Sequence, residues 1–138
     1  MKNVVIVGAS RTPMGGFHGE LSQVSATDLG GAAIKGAIDD AKLNLSDVNE
    51  VIMGNVLSAG LGQAPARQAS FKAGLTEDVP AVTLNKMCGS GLKSVIYAHD
   101  QVKAGTSDLV AAGGMESMTN APYLAPKMRS GAKVGHQQ

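Results

Sequence analysis

Over 138 residues the chain carries 43% apolar and 17% charged residues, and 12 Lys+Arg against 11 Asp+Glu leave a formal charge of only +1. That balance describes one soluble globular unit, long enough to remove roughly two-thirds of its unfolded surface from water but too short for a large two-lobed enzyme. The near-neutral charge without a basic run argues against a surface for the DNA or RNA backbone, and the absence of Trp with an aromatic content of 3% removes base-stacking platforms, so no nucleic-acid partner is expected. No apolar run approaches the ~18 residues of a membrane span, so no membrane partner and a cytoplasmic location are expected.

Short apolar runs alternate with helical patterns along the chain. Val4-Val5-Ile6-Val7 comes first, followed by a helix opening near Ser25, whose hydroxyl is placed to cap the amide near Asp28. Its apolar stripe is Ile34, Ile38, Ala41 and Leu45, and Lys35, Asp39 and Lys42 face water. Val51-Ile52-Met53 is the second run. After it, Pro65 near a first turn and Gly74 just past an end frame a helix with Ala66, Ala69 and Ala73 on one face. Ala81 to Leu84 forms the third run. The next helix extends from about Gly89 to Ala104, with Leu92, Val95, Ile96, His99 and Val102 inward and Gly105 ending it. Asp108 to Ala112 closes the series.

The runs are apolar at successive positions, as in strands covered on both faces. The expected fold class is therefore α/β, a layered βαβαβαβ unit with a mostly parallel sheet joined by right-handed crossovers. Residues 1–118 form this unit. From 119 to 138 the periodicity dissolves, and the stretch reads as the opening of a loop domain.

The single cysteine, Cys88, rules out an internal disulfide and a Cys-rich zinc site. It sits where an apolar strand ends and a glycine-flanked helix begins, the setting in which a nucleophile elbow exposes a side chain at the carboxyl edge of a sheet. An ordinary thiol, with a pKa near 8.5, is only a few per cent thiolate at neutral pH, and the positive end of a helix favours the anion. Gly89 and Gly91 leave room for close approach of a substrate, so acyl transfer is the natural reaction class. The residues alone leave a second reading open, in which Cys88 is a small core hydrophobe.

A thiol nucleophile needs a base, and the histidines are His18, His99 and His136. His99 lies eleven residues along the same helix, about 16 Å up the axis, and cannot reach the sulfur. His18 reads as a solvated loop residue and His136 belongs to the tail. Gly8, Gly15 and Gly16 do not form a dinucleotide fingerprint, because the G-x-G-x-x-G spacing is missing and Pro13 interrupts the helix it requires. Arg11 is expected to order its loop through backbone carbonyls, Glu116 to accept from nearby amides, and Met115 and Met118 to fill gaps.

The run Asn85 to Gly91 with Leu92-Lys93-Ser94 resembles the nucleophilic-cysteine motif of the thiolases. Ala112-Gly113-Gly114-Met115-Glu116-Ser117-Met118, Arg11-Thr12-Pro13-Met14-Gly15-Gly16-Phe17, and Gly54 to Leu57 with Gln63 to Ala69 are similar to three further segments of that family, in the same order. The pattern is nearest to the acetyl-CoA acetyltransferases within it. Ala64 departs from the family, whose members often have Asn before the proline. The resemblance implies that Cys88 accepts an acetyl group from one coenzyme A thioester and passes it to a second, so that two acetyl-CoA give acetoacetyl-CoA and CoA, reversibly. It implies no cofactor beyond these thioester substrates, no metal, and a homo-oligomer, a dimer or dimer of dimers. The chain corresponds to about the first third of a family member. The activating histidine, the second cysteine and most of the coenzyme A pocket come from the later part, so the chain alone is expected not to turn over. Three rivals remain: a redox-reactive cysteine module, a non-catalytic interaction domain with Cys88 buried, and a condensing enzyme of the ketoacyl synthase type.

Overall fold

The computed structural model describes residues 3–131. Three strands, β1 (Glu50–Gly54), β2 (Ala81–Leu84) and β3 (Val110–Gly114), form a parallel sheet in the order β2-β1-β3. Helices α1 (Ala26–Asp40) and α2 (Pro65–Lys72) pack together against the sheet, and α3 (Ser90–Ala104) lies on β1 and β3. The α/β class and the parallel pairing follow the expectation. Central β1 is covered on both faces, and Val51, Ile52 and Met53 are fully buried, each contributing about 1.5–3 kcal/mol of transfer free energy.

The first apolar run behaves differently. Val4 to Val7 lies outside the sheet, with Val5 71% and Ile6 81% exposed. A strand exists by virtue of a hydrogen-bonded neighbour, and none flanks this run among the described residues. The chain is instead anchored just downstream. A Cβ on Gly8 would lie 2.3 Å from the Ala37 carbonyl oxygen, and the Ala9 amide donates to Asp40 Oδ2 at 3.0 Å.

The helix ends obey the local signals. Ser25 Oγ accepts from the Asp28 amide at 3.1 Å and caps α1, while Ile34 and Ile38 point into the core. Ala41 is the C-cap, and Leu45 belongs to a separate short 3-10 turn (Leu45–Asp47). On the exposed side Lys35 pairs with Asp39. Lys72, at the end of α2, reaches Asp28 Oδ1 at 2.7 Å and Thr27 Oγ1 at 2.9 Å, stapling α2 to the start of α1. The Lys72 ammonium, with help from the Ser25 hydroxyl, lowers the Asp28 pKa below its ordinary value. Helix α2 begins on Ala64, which holds a left-handed conformation (φ 46, ψ 65) unusual for alanine.

The packed face of α3 is not the apolar stripe expected from periodicity. Ser90, Ser94 and Ala98 are its buried residues, whereas Leu92 is 69% exposed and Ile96 and His99 also face outward; Val95 and Val102 are half-buried. Small residues win this face because the helix sits almost in contact with the strand backbones. A Cβ on Gly54 would lie 2.6 Å from the Ser90 carbonyl carbon, and one on Gly114 would lie 3.2 Å from the Gly91 Cα. The chain beyond β3 proceeds through turns to a 3-10 segment, Pro126–Ser130. The rest of the expected loop domain, with His136, lies outside the described residues. No helix among the described residues is long and apolar enough to cross a membrane.

Candidate active site

The carboxyl ends of the three strands lie side by side, because Gly54 pairs in register with both Leu84 and Gly114. Two backbone bonds continue past the strand ends, Asn55 N–H to the Leu84 carbonyl at 3.0 Å and Met115 N–H to the Gly54 carbonyl at 2.9 Å. Over this edge the chain leaves β2, makes one turn through Asn85-Lys86-Met87-Cys88-Gly89, and enters α3 at Ser90. The expected strand–turn–helix setting of Cys88 is therefore present.

The turn is tight. Met87 holds a left-handed φ of 49, a strained conformation for a side chain of that size. It is held from two sides. Asn85 Oδ1 accepts from the Met87 amide at 3.0 Å. On the other side the Ser90 hydroxyl accepts from the Lys86 amide at 2.8 Å and donates to the Met87 carbonyl at 2.6 Å. Two backbone bonds complete it, Gly89 N–H to Lys86 O at 3.1 Å and Ser90 N–H to Met87 O at 3.0 Å. Cys88 stands at the tip, exposed and free. Its own amide has no hydrogen-bond partner among the described residues.

The start of α3 is seated on the sheet by glycines and one serine. Gly54 leaves space for Ser90, Gly114 leaves space for Gly91, and Ser94 Oγ lies 2.6 Å from both the Gly91 and Gly113 carbonyl oxygens, sharing its proton between them. Neighbouring support comes from Glu116. Its carboxylate accepts from Asn55 Nδ2 at 2.9 Å, from the Val56 amide at 2.9 Å and from the Leu57 amide at 3.1 Å, which fixes the loop after β1 beside the cysteine turn. Glu116 is thus the structural acceptor its sequence setting suggested. Met115 is buried between α1 and the sheet, whereas Met118 is largely exposed and fills no gap here. Arg11 contacts a backbone carbonyl, Thr12 O, at 3.4 Å.

No histidine is brought to Cys88 by these contacts. His99 pairs with Asp100 at 3.1 Å on the exposed side of α3. His18 stacks edge-on with Phe17, and its backbone amide donates to Thr119 Oγ1 at 3.0 Å. A groove of about 340 Å³ lies at the amino end of the strands between Glu50, Val82, Tyr97 and Gln101, and Cys88 does not line it. What this arrangement offers chemically is an exposed sulfur on a pinned turn, next to an amide that the turn does not use. The exposure of Cys88 also contradicts the rival in which the thiol is buried. Sequence reasoning missed Ser90, whose position one turn after the strand was the available signal: a serine four residues beyond an amide that must turn is well placed to cap it.

Comparison with known proteins agrees with this geometry. A family model described as "Thiolase, N-terminal domain" matches residues 4–138. The chain is 56% identical over 139 residues to the acetyl-CoA acetyltransferase of Escherichia coli (strain K12), covering 100% of this chain and 35% of that protein. It is 52% identical over 133 residues to the acetyl-CoA acetyltransferase of Schizosaccharomyces pombe, covering 96% and 34%. The crystal structure of the Acat5 thiolase from Ascaris suum in complex with coenzyme A superposes with a TM-score of 0.89 at 43% identity, over 91% of this chain and 33% of that one. The chain spans about a third of the length of the curated relatives it matches.

Proposed function

We propose that this chain, which belongs to the thiolase family as an N-terminal domain, supplies the acyl-accepting nucleophile of an acetyl-CoA acetyltransferase. The observation that carries the reading is the exposed Cys88 on a pinned turn at the carboxyl edge, with its own amide unpaired. In the first step Cys88 Sγ attacks the carbonyl carbon of an acetyl thioester. The new S–C bond forms first, giving a tetrahedral intermediate; its collapse breaks the bond to the coenzyme A sulfur, and the thiol proton ends on that leaving thiolate through a base outside the described residues. The free Cys88 amide is placed to donate to the oxygen that becomes negative in the tetrahedral intermediate, the kind of stabilisation worth ~3–4 kcal/mol per donor in acyl transfer. In the second step the methyl carbon of another acetyl-CoA, deprotonated, attacks the acyl-enzyme, giving acetoacetyl-CoA and restoring the thiol. Exchange of one thioester for another is close to isoenergetic, so the first step runs either way, and dividing the condensation into two displacements lowers each barrier.

The relatives named as acetyl-CoA acetyltransferases support the acetyl-CoA and acetoacetyl-CoA assignment, and the neighbour solved with coenzyme A supports a coenzyme A thioester as the ligand class. The base and the second proton-transfer group are assigned to the part of the family's fold beyond the third that this chain matches. A homo-oligomer in the cytoplasm completes the reading. Fusing this chain to the C-terminal two-thirds of the Escherichia coli relative tests it through thiolysis of acetoacetyl-CoA by CoA. The fusion turns over and its Cys88→Ala variant does not. Turnover that survives Cys88→Ala, or cleavage by the 138-residue chain alone, contradicts the reading.

A further inference from the structure

The Ser90 hydroxyl occupies an unusual place for a side chain that points to no substrate. It is buried, 5% exposed, and bridges the two ends of the strained Met87 peptide pair by taking the Lys86 N–H and giving its own proton to the Met87 carbonyl. Asn85 takes the remaining amide, that of Met87. Lys86, Met87, Gly89 and Ser90 thus all have their amides engaged inside the turn, whereas the Cys88 amide, in a backbone that bridges to Lys86, donates to none of them. A left-handed residue of this kind relaxes unless its surroundings over-determine it. Relaxation would rotate the 87–88 peptide, whose N–H is the Cys88 amide. Ser94, one helical turn further on, is equally buried and equally hydrogen-bonded but touches only Gly91 and Gly113.

We infer that Ser90, seconded by Asn85, is a positioning residue for acyl transfer: it holds the Met87–Cys88 peptide so that the Cys88 amide and sulfur address the same carbonyl group. The inference rests on the acyl-accepting role of Cys88 proposed above. It separates two reactions of one thiol. Acetylation passes through an oxyanion that needs the amide in place, whereas alkylation by iodoacetamide displaces iodide without one. Losing the clamp therefore slows the first and spares the second.

The test uses the 138-residue chain with phenyl thioacetate, an activated acetyl thioester. Cys88 Sγ gains the acetyl carbon, the bond to thiophenolate breaks, and the thiol proton goes to buffer. Acetylation and iodoacetamide alkylation are followed by intact mass. Ser90→Ala is expected to lower the acetylation rate about tenfold and Asn85→Ala about threefold, both with alkylation within about twofold of the unsubstituted chain. Ser94→Ala, at the same buried depth, is expected to acetylate at the unsubstituted rate. Equal acetylation of Ser90→Ala and Ser94→Ala, or a parallel fall in acetylation and alkylation, overturns the inference. If Ser90→Ala loses its helical circular dichroism, the exposed Asn85→Ala decides alone, and an unchanged acetylation rate there counts against the clamp. Turnover of the fusion described above that survives Cys88→Ala overturns the nucleophile itself, which distinguishes failure of the underlying reading from failure of the clamp.

Discussion

Replacing Gly54 by alanine strikes the contact that seats the cysteine-bearing helix. A Cβ there would lie 2.6 Å from the carbonyl carbon and the Cβ of Ser90 and 2.8 Å from the Gly91 amide nitrogen, short of the 3.4 Å of ordinary contact by about 0.8 Å. The colliding atoms are mostly backbone, on an interior strand on one side and a helix start on the other. No flexible side chain can swing away, so the first turn of α3 must lift from the sheet. Overpacking of this kind costs about 1–3 kcal/mol, and the upper half of that range applies when both partners are main chain. At about 4 °C per kcal/mol for a domain of this size, the midpoint should fall by roughly 8–12 °C. Gly91→Ala is the matched control, because its added Cβ meets nothing closer than 3.6 Å. In a helix it gains up to about 1 kcal/mol of propensity, so its midpoint should stay level or rise. Thermal unfolding followed by far-ultraviolet circular dichroism compares the two. Equal midpoints for Gly54→Ala and Gly91→Ala would refute the close-seating argument.

Other outcomes follow from single contacts. Ala64→Asn should raise stability by about 0.5–1 kcal/mol, because asparagine tolerates the left-handed backbone that alanine holds at φ 46; a loss on urea unfolding would contradict it. Glu116→Gln should cost about 1–3 kcal/mol, since an amide cannot accept all three N–H groups that the carboxylate holds, and a urea midpoint unchanged from the parent would count against the role given to it. The folded Asp28 pKa lies below its ordinary value because of Lys72 and Ser25, so the pair's contribution is fully present above the unfolded value and is lost as pH falls through the folded one. Asp28 is half exposed, so Asp28→Asn should cost only about 0.2–1 kcal/mol near neutrality. The gap should close in acid and shrink in high salt, and a gap that persists in both would remove the ion pair as its cause. Val5, Ile6, Leu92 and Ile96 all stand open to solvent, so sedimentation should show the chain associating as concentration rises, and Leu92→Glu with Ile96→Glu should weaken it; unchanged association would place the contact elsewhere.

Much of this was legible in the residues. Ser25 before Asp28, Pro65 and Gly74 around a run of alanines, and Gly105 after a helix are local signals that local energetics obey, and the structure places each as read. The position of Cys88 was readable for the same reason: an apolar strand, a break, and a glycine-framed helix leave few other geometries. Two features escaped, both decided by tertiary neighbours. Val4 to Val7 has the composition of a buried strand, yet pairing depends on a neighbour, which composition does not reveal. In α3, periodicity weights Leu92 and Ile96 above Ser90, Ser94 and Ala98, but the seat on Gly54 and Gly114 admits only small side chains. The clamp on Met87 escaped because a left-handed methionine has no sequence signature; its holders, Asn85 and Ser90, are ordinary turn and cap residues until the strained peptide between them is seen.

The central claim is that the sulfur of Cys88 receives the acyl group. Incubating the fusion described above with acetyl-CoA, quenching in acid, and locating the added acetyl by tandem mass spectrometry of its peptides addresses it most directly. The account predicts an acetyl thioester on Cys88 that disappears when free CoA is added before the quench. An acetyl group found only on lysines, or a Cys88 peptide that stays unmodified while the enzyme turns over, would contradict it.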